Sequence, residues 1–171
     1  MIKEILDSIL KVIDMIGYAE TIIMIVLVIT GFCLWVRGIL PALINLGMGL
    51  AKRRIVIFAN AEISKSIKDI LTDSKLFKDK NIETISTIDD LHRGENESMY
   101  IVYWPEWKEN IKEIINMKKD TCSLIVYAPK KGGFIPDEIM ELIDSKRHAI
   151  VTNFRGRLLN DVLTSMITTK K

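Results

Sequence analysis

The chain has 171 residues, with 24 lysines and arginines, 22 aspartates and glutamates, and two cysteines. That length holds a membrane segment and one compact domain of ordinary size, but not two domains with proper cores, and a formal net charge of +2 is too small for a protein that coats nucleic acid. Cys33 lies in an apolar run and Cys122 just before an expected strand, which gives no support to a disulfide framework or a cysteine-based metal site and fits a reducing compartment.

Residues 1–20 carry two bases and four acids, residues 21–51 carry Arg37 alone, and residues 52–171 carry 21 bases against 18 acids. At the N-terminus, Ile2, Ile5, Ile9, Ile13 and Ile16 recur at helical spacing with charges mostly on other faces. Residues 1–17 are therefore predicted as an amphipathic helix on the outer membrane surface, or as an extension of the span that follows. From Thr21 to Ala51 the chain runs TIIMIVLVITGFCLWVRGILPALINLGMGLA, 31 residues with one charge. A spanning helix needs about 20, so residues 18–51 are predicted as the transmembrane segment. The acidic start and the lack of a small-residue cleavage site exclude a signal peptide. Lys52, Arg53 and Arg54 follow the span and place the C-terminal domain in the cytoplasm, on a single-pass inner-membrane protein.

Arg37 has two readings. With a span over Thr21–Leu40 it lies near the inner interface and snorkels, and with a span over Val26–Leu46 it lies inside and faces a bundle interior or water. Asn45, Gly47 and Gly49 form a surface for close helix approach, with an amide for interhelical bonding. Since one helix makes no pore, Arg37 and Asn45 are pore candidates only in a homo-oligomer, for which a tetramer is expected.

Beyond the basic cluster the hydrophobic period alternates between strand and helix. Strands are expected at Ile55–Phe58 (IVIF), Ile82–Ile88 (IETISTI), Met99–Trp104 (MYIVYW), Ser123–Ala128 (SLIVYA) and Ala149–Thr152 (AIVT). Helices are expected over Ile63–Leu71, around Ile111–Ile115, after Pro136 and Asp137, and over Leu158–Ile167. This order predicts an α/β domain over residues 52–171, a five-stranded, doubly wound parallel sheet of Rossmann-like or flavodoxin-like type with strand order 2-1-3-4-5. Ligands of such sheets collect at the carboxyl ends of the strands.

Several chemistries lack their residues. A phosphoacceptor site needs carboxylates where the chain has Asn60 and Trp104, the loop after the first strand reads NAEISK instead of G-x-G-x-x-G, and no P-loop or nucleophile–base pair is present. His92 and His148 have no spaced partners, so neither an enzyme nor a metal or cofactor is expected. Two loops remain suggestive. Lys130 and Lys131 sit beside Gly132-Gly133, and Asn153-Phe154-Arg155-Gly156-Arg157 precedes the last helix. Adjacent strands bring these loops together, where arginine forks, ammonium groups and free helix-start amides suit phosphate and Phe154 suits a base. Asn60, at the end of the first strand, joins Lys130, Lys131, Asn153, Phe154, Arg155 and Arg157 as a ligand-binding candidate.

A short chain with one span, no catalytic constellation and a Rossmann-like domain with basic loops resembles the small membrane effectors of bacterial antiviral signalling systems, with CARF-type CRISPR membrane effectors as the nearest layout. That resemblance implies a channel or pore in the bilayer that is gated by a nucleotide or short oligonucleotide, and a partner enzyme that synthesises the signal. The Met99–Glu113 stretch, with Trp104, Glu106 and Glu109 after the third strand, resembles the same part of TIR domains, which implies a membrane-tethered NAD-cleaving enzyme as the alternative. A membrane anchor that recruits a protein partner is the third class.

Overall fold

The computed structural model describes residues 2–169, and for residues 2–14, 45, 48, 49 and 51 it describes the backbone alone. The chain divides into two units between Ala42 and Leu43.

The first unit is the helix α1 (Ile2–Lys52), whose last turns belong to the second unit. The backbone is helical through residues 17 and 18, with no turn between the segment predicted as amphipathic and the apolar run. The amphipathic side chains before Met15 lie outside the described residues, as does the side chain of Asn45. Met15–Ile44 is long and apolar enough to cross a membrane, at 30 residues and a mean hydropathy of 2.4. At a rise of about 1.5 Å per residue it extends some 45 Å, more than a hydrocarbon core of about 30 Å. Its threonine hydroxyls are satisfied within the helix, since Thr21 Oγ1 donates to the Gly17 carbonyl at 2.8 Å and Thr30 Oγ1 to the Val26 carbonyl at 2.7 Å.

The second unit is a Rossmann-like domain. Its strands β1 (Ile55–Phe58), β2 (Ile82–Ile85), β3 (Met99–Tyr103), β4 (Ser123–Tyr127) and β5 (Ala149–Thr152) form one parallel sheet in the order β2-β1-β3-β4-β5, as predicted. All four residues of β1 and the first four of β3 and β4 are buried. Both faces therefore need cover. Val56, Phe58, Tyr100, Val102, Leu124 and Val126 lie on the face packed by α3 (Trp104–Trp107), α4 (Ile111–Met117) and α5 (Asp137–Asp144). Ile55, Ile57, Met99, Ile101 and Ile125 lie on the other, beneath α2 (Ala61–Asp73) and α6 (Leu158–Thr168).

β4 stops at Tyr127, one residue short of the expected Ala128, and three further boundaries differ from the sequence expectation. β2 stops at Ile85 because it is an edge strand and its only neighbour, β1, ends at the paired residue Phe58. The segment beyond it, Ile88–Gly94, winds into a 3-10 helix closed by Tyr100, whose hydroxyl donates to the Gly94 carbonyl at 2.8 Å. Trp104 opens α3 instead of closing β3, since Pro105 has no N–H for a ladder and a φ suited to a helix start. Trp104 and Trp107 are buried, and Trp107 meets Phe58 edge-on at 5.4 Å.

The third difference is the start of the domain. Leu46 and Leu50 pack against the core on the α2/α6 face, so the last turns of α1 belong to the globular unit that was expected to begin at Lys52. Arg53 is drawn inside as well. Its guanidinium donates to the Thr169 carbonyl, and burial lowers its pKa from the ordinary value. Free Cys33 is exposed, whereas Cys122 is buried, which pushes its thiol up to about 12.

Replacing Leu46 or Leu50 with alanine should each destabilise the domain by about 1–2 kcal/mol, since both are half-buried. Leu43→Ala, at a site 57% exposed, should change little. Urea unfolding in detergent, followed by the emission of buried Trp104 and Trp107, measures the difference. Equal effects at positions 43, 46 and 50 would assign all three to the apolar segment.

Candidate functional site

All the strands point one way, so the loops that follow β1, β3, β4 and β5 meet at one end of the sheet. β4 pairs Tyr127 with Tyr103 on one side and with Thr152 on the other. Pro129–Gly133 and Asn153–Arg157 therefore start side by side, as predicted. Between them and α2 opens a cavity of about 420 Å³. Lys130, Lys131, Asn153, Phe154 and Arg155 line it together with Ser66 of α2. Among the described residues this lining carries three cations and no carboxylate.

Its floor was not foreseen from the sequence. Tyr103 and Tyr127 end β3 and β4 on the α2/α6 face, with ring centroids 5.8 Å apart. Burial holds the Tyr103 phenol above its ordinary value, with smaller contributions from Glu106 and Tyr127, so it remains a neutral donor. The available signal was the final tyrosine of two neighbouring strands, MYIVY and SLIVY, in identical register.

The β4 loop is held from outside the cavity, and the β5 loop by contacts across it. A Cβ on Gly132 would lie 2.4 Å from the Pro105 ring, so only glycine lets the β4 loop lie against the start of α3. Gly133 follows at φ +87°, a left-handed conformation that side chains rarely adopt. Lys130 Nζ stands 5.7 Å from the centre of the Phe154 ring, a cation–π distance that joins the two loops. Arg155 reaches across to α2, where Nη2 donates to the Ser66 carbonyl at 3.4 Å.

Two of the seven predicted ligand residues are not brought to this cavity. Asn60 is the N-cap of α2, its side chain accepting from the Ile63 amide at 2.9 Å, while its own amide donates to Glu106 at 2.6 Å and its Nδ2 bonds the other Glu106 oxygen. This clamp lies between β1 and β3, the topological switch point at which doubly wound sheets commonly bind ligands. Both oxygens of Glu106, the candidate TIR-like carboxylate, are thereby engaged, and Glu109 is exposed and outside the cavity lining. Arg157 is separated by local geometry. Arg155–Arg157 is a 3-10 turn, with about three residues per turn, so side chains two apart diverge by roughly 120°. Arg157 instead lies 3.9 Å from Asp161 on α6. No side chain caps the first turn of α6 among the described residues.

Arg37 is exposed on the helix surface, and Pro41 lies within the helix four residues on. No cluster of His, Cys, Asp and Glu among the described residues is arranged to hold a metal. Fold and site together define a Rossmann-like domain that follows a long apolar helix and carries a basic, aromatic cleft at its strand ends. No protein-family model, no curated protein and no solved structure matches the chain.

Asn60→Ala should cost about 1–2 kcal/mol of domain stability through the lost α2 cap, with a smaller further loss as Glu106 Oε1 loses its Nδ2 donor while the backbone amide of residue 60 still bonds the other oxygen. Ligand affinity at saturating folded protein should stay within about threefold, less than one lost charged hydrogen bond removes. Denaturation and calorimetry on one preparation separate these effects, and a selective loss of affinity would return Asn60 to the site.

Proposed function

We propose that this chain is a membrane effector of bacterial antiphage defence, an oligomeric ion channel gated by a nucleotide or short oligonucleotide bound to its cytoplasmic α/β domain. The observation that carries the reading is the cleft itself. Three cations, an amide and a half-exposed aromatic ring surround it on an α/β domain whose chain also holds a 30-residue apolar helix. Phosphate suits the Lys130, Lys131 and Arg155 side chains, while Phe154, 53% exposed and already under an ammonium group, offers its ring to a base. The engaged state of Glu106 favours a sensor over an NAD-cleaving enzyme.

The helix supplies the output in this reading, as a single pass through the inner membrane. The use of Leu46 in the domain core supports a span ending before Ala42, and Lys52 and Arg54, both exposed, favour the cytoplasmic side. Arg37 then stands near the cytoplasmic end. Because Pro41 has no N–H, the Arg37 carbonyl loses its helical donor, so both the guanidinium and the carbonyl of one residue require water or a polar partner at the same depth. A water-filled path between several protomers meets both needs, and a ring of arginines there favours anions. The signal comes from a nucleotide-synthesising partner enzyme.

Calorimetry on the full-length protein in nanodiscs with a nucleotide panel tests the reading. Lys130→Ala and Arg155→Ala should each weaken binding by about 1.5–3 kcal/mol, the value of a charge-assisted hydrogen bond. Arg157→Ala should stay within about threefold of wild type, as expected of a surface charge outside the site. Absence of binding by every nucleotide would refute the sensor. For the channel, mass measurement in nanodiscs should give a closed homo-oligomer, with a tetramer expected. Arg37→Gln should shift anion-to-cation selectivity in planar bilayers. A monomer, or unchanged selectivity in a correctly inserted Arg37→Gln protein, removes the pore role.

A further inference from the structure

A second cavity, of about 430 Å³, opens on the other side of the same two loops. It shares Pro129, Lys130 and Asn153 with the first, so the two are lobes on either side of one short wall. Their chemistry differs. The first lobe holds Lys131, Arg155 and Phe154, whereas the second is lined by Phe134, Ile135, Met140 and Val151 and its only charged member is the shared Lys130. Phe134 is 99% exposed and follows Gly133, whose φ of +87° turns the chain at that point. A phenyl ring left in water at a loop tip gains nothing from the core beneath it. Met140, on α5, is 39% exposed at the same lobe. Each lobe thus has one exposed aromatic ring, Phe154 or Phe134, and the polar groups common to both are an ammonium and an amide.

We infer that the ligand is a dinucleotide, with one nucleoside in each lobe, its bases against Phe154 and Phe134 and its linking phosphate at Lys130 and Asn153. This rests on the sensor reading and gives it a ligand class. A mononucleotide fills only the first lobe and leaves Phe134 in water. A second nucleoside covers that ring and places its negative linkage at the only cation the lobes share. Stacking tolerates every base, because each has a π face, so the second lobe selects for ligand length more than for base identity.

Calorimetry on the full-length protein in nanodiscs compares ribonucleoside 5′-monophosphates with the 5′-phosphorylated diribonucleotides built from them, alongside a monophosphate esterified with a short alkyl chain. The best diribonucleotide should bind at least about tenfold more tightly than its monophosphate, the scale of one base–aromatic stack. Phe134→Ala, at a surface position, should abolish that gain and leave monophosphate affinity unchanged, while Arg155→Ala should weaken both ligands. Monophosphate binding with no gain from a second nucleoside overturns the inference and leaves the sensor reading standing. A gain that survives Phe134→Ala, or an equal gain from the alkyl ester, also overturns it. If no ligand of either length binds, the sensor reading fails and the inference falls with it.

Discussion

The central strands of this domain carry apolar side chains on both faces, and that constraint organises the rest of the second unit. β1 is wholly inaccessible to solvent, and β3 and β4 nearly so. A sheet of that kind is stable only between two layers of helix. Right-handed crossovers then give α2 and α6 to one face and α3, α4 and α5 to the other, and all loops that follow strands emerge together. The recruitment of Leu46 and Leu50 from the end of α1 follows from the same need, since the α2/α6 face still has apolar surface to cover there.

The cleft is a by-product of this packing, but its position is set by polar contacts. Asn60 and Glu106 bond across the β1/β3 switch point, so the open space lies over β3, β4 and β5 instead. Pro105, in the first turn of α3, prevents β3 from continuing and supports Gly132, so one residue joins the strand-end geometry to the placement of Lys130 and Lys131. The resulting lobes are basic on the α2 side and apolar on the α5 side.

The first unit obeys a different rule. In hydrocarbon every backbone and hydroxyl group needs an internal partner. Thr21 and Thr30 meet this by bonding back to the preceding turn. At Arg37 the helix is different, because Pro41 has no N–H to donate to the Arg37 carbonyl.

The sequence by itself determined the layers. Unbroken apolar runs such as IVIF and SLIVY allow little but doubly covered strands, alternation of period favours a parallel sheet, for which the expected order 2-1-3-4-5 is the one observed, and a 30-residue run of high hydropathy is long enough to cross a membrane. The meeting of the Lys130 and Asn153 loops was legible too, because strand adjacency alone joins them, and five of the seven candidate residues line the cavity there. What only the tertiary structure decided were the directions of single side chains. Asn60 turns to Glu106 and Arg157 turns away through a 3-10 turn, while Tyr103 and Tyr127, read as strand residues, become a floor. Leu46 and Leu50, apolar like everything before them, became core because a half-covered sheet face lay within reach. Hydrophobic pattern records how much surface must be buried and with what period. Which neighbour buries it, and which polar atom a side chain meets, depends on residues far apart in the chain.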